Sequence, residues 1–169
     1  MKNKFYKQKH QATCGIAVIR TVLENKFDIA KSENNLIKLV ERLYKENNGK
    51  NNEEYRIKHN GTKVYHFKNF AKHFGLGIFI NAHGNISQLK YFIDNGFWPV
   101  VYRGFELDNE GHYILVYNYN HSIEFFDPIH ECGGLKKESY RKFNRKWYFE
   151  REKWYAVFYN KDKLKIPFK

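Results

Sequence analysis

Cysteine is scarce in these 169 residues, which hold only Cys14 and Cys132, and proline is nearly as rare, with three. Two cysteines cannot form the disulfide framework of a small secreted domain. With no C-x-x-C or H-x-x-x-H pair they also match no compact zinc motif, so neither a metal nor another cofactor is expected. Ligation by cysteine, histidine and aspartate, extended by His130, Glu131 and Cys132, is the weaker alternative. A run of about 18 apolar residues is absent, so no transmembrane helix is encoded. The basic start MKNKFYKQKH also lacks the apolar segment of a signal peptide. A cytoplasmic, reducing location with both thiols free is therefore expected, a Cys14–Cys132 bridge being the alternative. Pro-rich linkers and internal repeats are missing too, which together with the length points to a single domain over residues 1–169.

What the chain has is aromatic and basic residues. Aromatics reach 18% and hydrophobic residues 42%, enough to build a core despite a net charge of +12. Residues 136 to 169 hold twelve Lys and Arg against four acids, a balance that favours anionic partners. There Arg141, Lys142, Arg145 and Lys146 interleave with Tyr140, Phe143, Trp147 and Tyr148, as on a surface that holds nucleic acid or an acidic peptide. An amphipathic segment with one solvated face is the simpler reading, since no nucleic-acid motif accompanies the charge.

Apolar spacing predicts a helix over 14–25, with Gly15 in its first turn, and a second that follows Ser32 and carries Leu36 to Tyr44. ENNGKNNEE then reads as a surface loop. Residues 64–74 form a third helical pattern, 78–80 a short strand, and 86–95 a helix capped by Asn85 or Ser87. Strands are expected over 98–105, 112–120, 122–128 and 154–160, with a tight turn at Asn120 and His121 and a loop at LDNEG, residues 107–111. Helices first and an antiparallel sheet after them make an α+β domain, a helical layer packed on a sheet.

A cysteine opening a helix meets the positive end of the macrodipole and unpaired N–H groups, which favour thiolate. Cys14 is thus placed as a nucleophile, and it needs a base with the pKa of histidine. Of eight histidines, His112 opens a strand directly after a loop, where a sheet can hold an imidazole at the rim of a cleft. Asp127 ends the next strand, so a hairpin would make it the neighbour of His112 and an orienting carboxylate.

The stretch QKHQATCGIAVIRTVL resembles the opening motif of the C39 family of papain-like cysteine peptidases, in which a Gln stands six residues before a Cys-Gly-x-Ala helix start. The resemblance continues in order through NGTKVYHFKNFAKHFGLG, ISQLKYFIDNGFWPVVY, GHYILVYNY, FFDPIH and LKKESYRKFNRKW. It implies a papain-like fold, Cys14 as nucleophile, His112 as base and acid, Asp127 as the residue fixing the imidazole, and Gln8 as an oxyanion donor beside the Cys14 backbone N–H. It also implies a peptide or protein substrate, cut after small residues such as Gly-Gly. One departure is Thr13, where the family commonly has Asp. Another is the absence of transmembrane helices and of a GxxxxGK[ST] loop, which leads us to expect no exporter coupling within this chain. Gly133-Gly134 reads as a turn rather than a self-cleavage site, and Trp98, Tyr113 and Phe126 are candidates to narrow the cleft. A non-catalytic module that binds through the basic surface is the competing class.

Overall fold

A computed structural model describes residues 3–48, 53–104, 111–129, 133–148 and 150–162. The helices are α1 (Cys14–Phe27), α2 (Glu33–Asn48), α3 (Glu53–Asn60), α4 (Val64–His73), α5 (Ile86–Asp94) and α6 (Tyr140–Trp147). The strands are β1 (Gly77–Asn81), β2 (Val100–Gly104), β3 (Gly111–Tyr119), β4 (Ile123–Asp127), β5 (Gly134–Glu138) and β6 (Tyr155–Tyr159). They form one sheet in the order β1-β6-β2-β3-β4-β5, with every described strand pairing antiparallel.

Local chemistry explains most of these elements. The Ser32 hydroxyl accepts the Asn35 N–H at 3.2 Å and caps α2. Asn85, not Ser87, caps α5: it accepts the Gln88 N–H at 3.0 Å, while the Gln88 side chain accepts the Asn85 N–H at 3.1 Å. In β3, Tyr113 and Leu115 join the core under α1, whereas Ile114 and Val116 join a second core with Leu89 and Phe92 of α5 and Phe143 and Trp147 of α6. Strand alternation thus feeds two cores, and helices cover both faces of the sheet. The expected α+β architecture, N-terminal helices packed on an antiparallel sheet, is present, and α5 and α6 add helices on the other face.

Three expectations change. Only part of ENNGKNNEE is described, and that part is helical: α2 runs on to Asn48 and α3 begins at Glu53. β5 was not expected at all. Its sequence, GLKKE, has no β-branched residue, yet it lies at the sheet edge, where exposed lysines are favoured. Gly133 makes the chain's return from β4 possible, because a Cβ there would lie 2.0 Å from the Ile129 carbonyl oxygen. Gly134, expected to be part of a turn, instead opens β5 and pairs with Asp127 of β4. Most of LDNEG, together with His130, Glu131 and Cys132, lies outside the described residues. No described helix is long and apolar enough to cross a membrane.

Candidate active site

α1 starts on Cys14, so the thiol sits in the first helical turn, where helix geometry offers backbone N–H groups no carbonyl partner. Gly15 is required by close packing: a Cβ there would lie 2.5 Å from Thr62 Cβ, in the turn between α3 and α4. Cys14 is a buried, free thiol.

The β3–β4 hairpin delivers the second and third groups. Leu115 pairs with Phe126, so Asp127 stands one residue further on and His112 lies diagonally across from it on the same face. His112 Nε2 is 2.8 Å from Asp127 Oδ1, and the imidazole also makes a side-chain hydrogen bond with Cys14. With Nε2 engaged by Asp127, Nδ1 is the ring nitrogen left for the thiol. Asp127 Oδ1 additionally accepts the Ile129 N–H at 3.1 Å, and Oδ2 accepts Lys136 Nζ at 2.9 Å. Burial pulls the His112 pKa down, but the hydrogen bonds and charges of Asp127 and Cys14 outweigh it and hold it up at about 9. Burial pushes Asp127 up, yet His112, Lys136 and the Ile129 N–H hold it well below the usual carboxylate range.

Cys14, His112 and Asp127 are thus brought together as their sequence positions suggested. Gln8 reaches the same end of the sheet, its backbone N–H donating to the Pro128 carbonyl at 2.7 Å. Its side chain is buried, but Nε2 donates to the His10 and Gln11 carbonyls at 3.0 and 2.6 Å, which occupies both amide hydrogens. Oε1 is buried with no partner among the described residues. An oxyanion role for Gln8 therefore requires one hydrogen to turn from a loop carbonyl to the substrate.

The unusual Thr13 has a local explanation. Its side chain makes no cap hydrogen bond to α1. Instead Oγ1 accepts the His10 N–H at 3.2 Å and lies 2.6 Å from Oε1 of the buried Glu33, the first residue of α2. Glu33 also accepts the Lys9 N–H through both oxygens, at 3.0 and 3.1 Å. The acid absent from position 13 thus arrives from α2, and an aspartate at 13 would set two buried carboxylates side by side. We expect Glu33→Ala to lose about 1.5–3 kcal/mol in denaturant unfolding, the usual worth of hydrogen bonds to a charged group. An unchanged midpoint would show that Glu33 does not hold the 8–13 loop.

Neither Glu33 nor Lys136 was singled out from sequence, because each reaches the site through packing of distant elements rather than through a spacing motif. A second buried histidine, His66, pairs with Glu53 at 2.7 Å between α3 and α4. Burial lowers its pKa despite that carboxylate. Its Nδ1 accepts the Lys63 N–H at 2.8 Å, so the ring is a structural link.

Two cavities lie near Cys14 and His112, the first touching neither and the second touching His112 alone of the pair. One, about 200 Å³, is walled by Thr62, Tyr102, Tyr113 and Trp154 with Glu150 and Glu152. The other, about 290 Å³, is walled by His112, Asp127 and a group of cationic side chains. Of the three aromatics considered for the cleft, Tyr113 lines the first cavity, whereas Trp98 and Phe126 pack on Phe5 with ring centroids at 5.8 and 5.1 Å. The basic segment at 140–148 turns Phe143 and Trp147 inward, leaving Tyr148 as its only largely exposed aromatic.

Comparison with known proteins bears on the fold and the family. The peptidase domain of Streptococcus ComA, described as a bifunctional ABC transporter involved in a quorum-sensing pathway, superposes with a TM-score of 0.68 at 17% identity. The match covers 95% of this chain and 100% of that one. A protein assigned as a C39-like peptidase from Bacillus anthracis superposes with a TM-score of 0.67 at 12% identity, covering 95% of this chain and 96% of its own. Both share the fold. No curated protein matches the chain in sequence. The profile of the Peptidase_C39 like family matches residues 2–157, and the chain, with this α+β fold, belongs to that family.

Proposed function

We propose that this protein is a cysteine peptidase that cleaves a peptide amide through a thioester on Cys14. The reading rests chiefly on one observation, the hydrogen-bonded chain from the Cys14 thiol through His112 to Asp127 at the start of α1. His112 takes the Sγ proton, and the sulfur attacks the substrate carbonyl carbon to give a tetrahedral oxyanion. The Cys14 backbone N–H and a reoriented Gln8 amide donate to that oxygen; one such donor is worth about 3 kcal/mol of barrier. The oxyanion collapses, the C–N bond breaks, and His112 returns its proton to the departing amine. Water then attacks the thioester with His112 as base, releasing the acid and restoring the thiol. Asp127 keeps Nε2 engaged throughout, so the ring presents Nδ1 to sulfur. The resemblance supports small residues such as Gly-Gly on the acyl side of the cut, and the chain's likeness to an exporter's peptidase domain makes a peptide precursor the substrate to try first.

The test is to incubate wild type and Cys14→Ala with a peptide library containing Gly-Gly sites and to read intact mass after acid quench. An acyl adduct on wild type alone, at the peptide containing Cys14, is the expected outcome. A wild type that forms no adduct, cleaves nothing and alkylates no faster at Cys14 than a free thiol would leave the binding-module reading in its place.

A further inference from the structure

The 290 Å³ cavity touches His112 and Asp127 but not Cys14. In a thiol acyl transfer the acyl half of the substrate is joined to sulfur, and the departing amine is the half that meets the imidazole. Of the two cavities this one alone touches the imidazole, from the side that Asp127 holds, and so lies nearer the departing half. Its walls carry the cations Arg103, Lys136, Lys137, Lys142 and Lys146 and the carboxylates Asp127 and Glu138.

The pairing within this wall is built rather than incidental. Arg103 is buried, stacks over Phe125 and Phe143 with centroid distances of 5.2 and 5.5 Å, and meets both Glu138 oxygens at 3.0 and 3.3 Å. The same carboxylate lies 3.2 Å from Lys146 Nζ and 3.9 Å from Lys142 Nζ, so three cations converge on one acid. Asp127 is shared in the same way between His112 and Lys136. Burial and the charge of Arg103 push the Lys146 pKa down, as expected where like charges crowd. Lys142 is half exposed and stands on α6 at the cavity wall.

We propose that this cavity is the subsite for the departing half of the substrate and that it selects a carboxylate there. The inference rests on the peptidase reading for its position and on the cationic wall for its chemistry. The carboxylate is either an acidic side chain just after the cut or the free C-terminus of a short departing segment. Nucleic acid fits less well, because the cavity is small and Tyr148 is the only largely exposed aromatic in the 140–148 segment on which a base could stack.

Binding and turnover test it separately. With Cys14→Ala, affinity is measured by fluorescence anisotropy for labelled, C-terminally amidated Ala-Gly-Gly-Glu-Ala, its Gln counterpart, and Ala-Gly-Gly-Ala as free acid and as amide. We expect the Glu peptide or the free acid to bind about tenfold more tightly than its neutral partner, with the gap closing at high salt. Preference for Glu identifies a side chain, and preference for the free acid identifies a terminus. Lys142→Glu, with its fold checked by a melting curve because Lys142 lies near Glu138, is expected to erase the preference. With wild type, kcat/KM should favour Glu after the cut and not before it. Equal affinity for charged and neutral peptides, preference for Glu before the cut, or displacement by oligonucleotide at equal concentration would overturn the subsite even if cleavage is robust. If no peptide is cleaved but the carboxylate preference persists and vanishes in Lys142→Glu, the peptidase reading fails while the recognition chemistry stands.

Discussion

Replacing His112 with alanine should cut peptide cleavage by about 10²–10⁴-fold, the usual worth of a positioned acid–base group. It should also slow iodoacetamide alkylation of Cys14 at pH 7. The reason lies in the geometry: the imidazole is the hydrogen-bonding partner of the thiol and is held by Asp127 on its far side. Alanine leaves Cys14 at the helix start but removes the proton acceptor. Because His112 is buried, the variant also loses packing, so a melting curve accompanies the kinetics. Cleavage and alkylation both unchanged in a folded His112→Ala protein would remove the imidazole from the mechanism.

Substituting Asp127 should move the pH profile. The His112 pKa lies above its ordinary value of 6.5, at about 9, in part because the Asp127 carboxylate favours the charged ring. A group whose folded pKa is raised stabilises the fold fully below its unfolded pKa, and that contribution is lost as pH rises through the folded value. For wild type we therefore expect both this contribution to stability and the alkaline limb of kcat/KM to fall away as pH approaches about 9. Asp127→Asn keeps an oxygen that can accept Nε2–H but removes the charge, so the limb should slide toward 6.5 while activity below it survives. Asp127→Ala loses the acceptor too and should lower the rate at every pH, with the Lys136 ammonium left beside an uncharged wall. A limb that stays near 9 in Asp127→Asn would show that the carboxylate does not set the ring's charge.

How far the sequence could be read depended on whether the determinant was local. The start of α1 at Cys14, the Ser32 and Asn85 caps and the β3–β4 turn are written in neighbouring residues, and those elements stand near their expected places. The His112–Asp127 contact was legible because hairpin pairing converts adjacency of strands into adjacency of side chains. α3 was hidden because EEYRIKHN is mostly polar and shows no apolar stripe; among its residues whose burial is described, only Ile57 and Glu53 are buried. β5 was hidden because an edge strand rich in lysine lacks the residues by which strands are recognised. Glu33, Lys136 and Arg103 carry no spacing signal relative to Cys14, and only packing assembles them. The Gln8 side chain marks a further limit: its place in the sequence suggested a donor, but the folded loop uses both amide hydrogens internally.

The division of labour between α1 and the β3–β4 hairpin has a consequence for the order in which the protein is made. Cys14 leaves the ribosome before His112 and Asp127, which follow 98 and 113 residues later (112 − 14 and 127 − 14). Synthesis at about 5–20 residues per second leaves an interval of seconds in which the sulfur exists without its base. On the proposed peptidase reading, a nascent chain in that interval carries a thiol that cannot complete acyl transfer. Competence would then switch on only when the hairpin closes over the helix start, so an unfinished chain would be unable to cut itself or its neighbours.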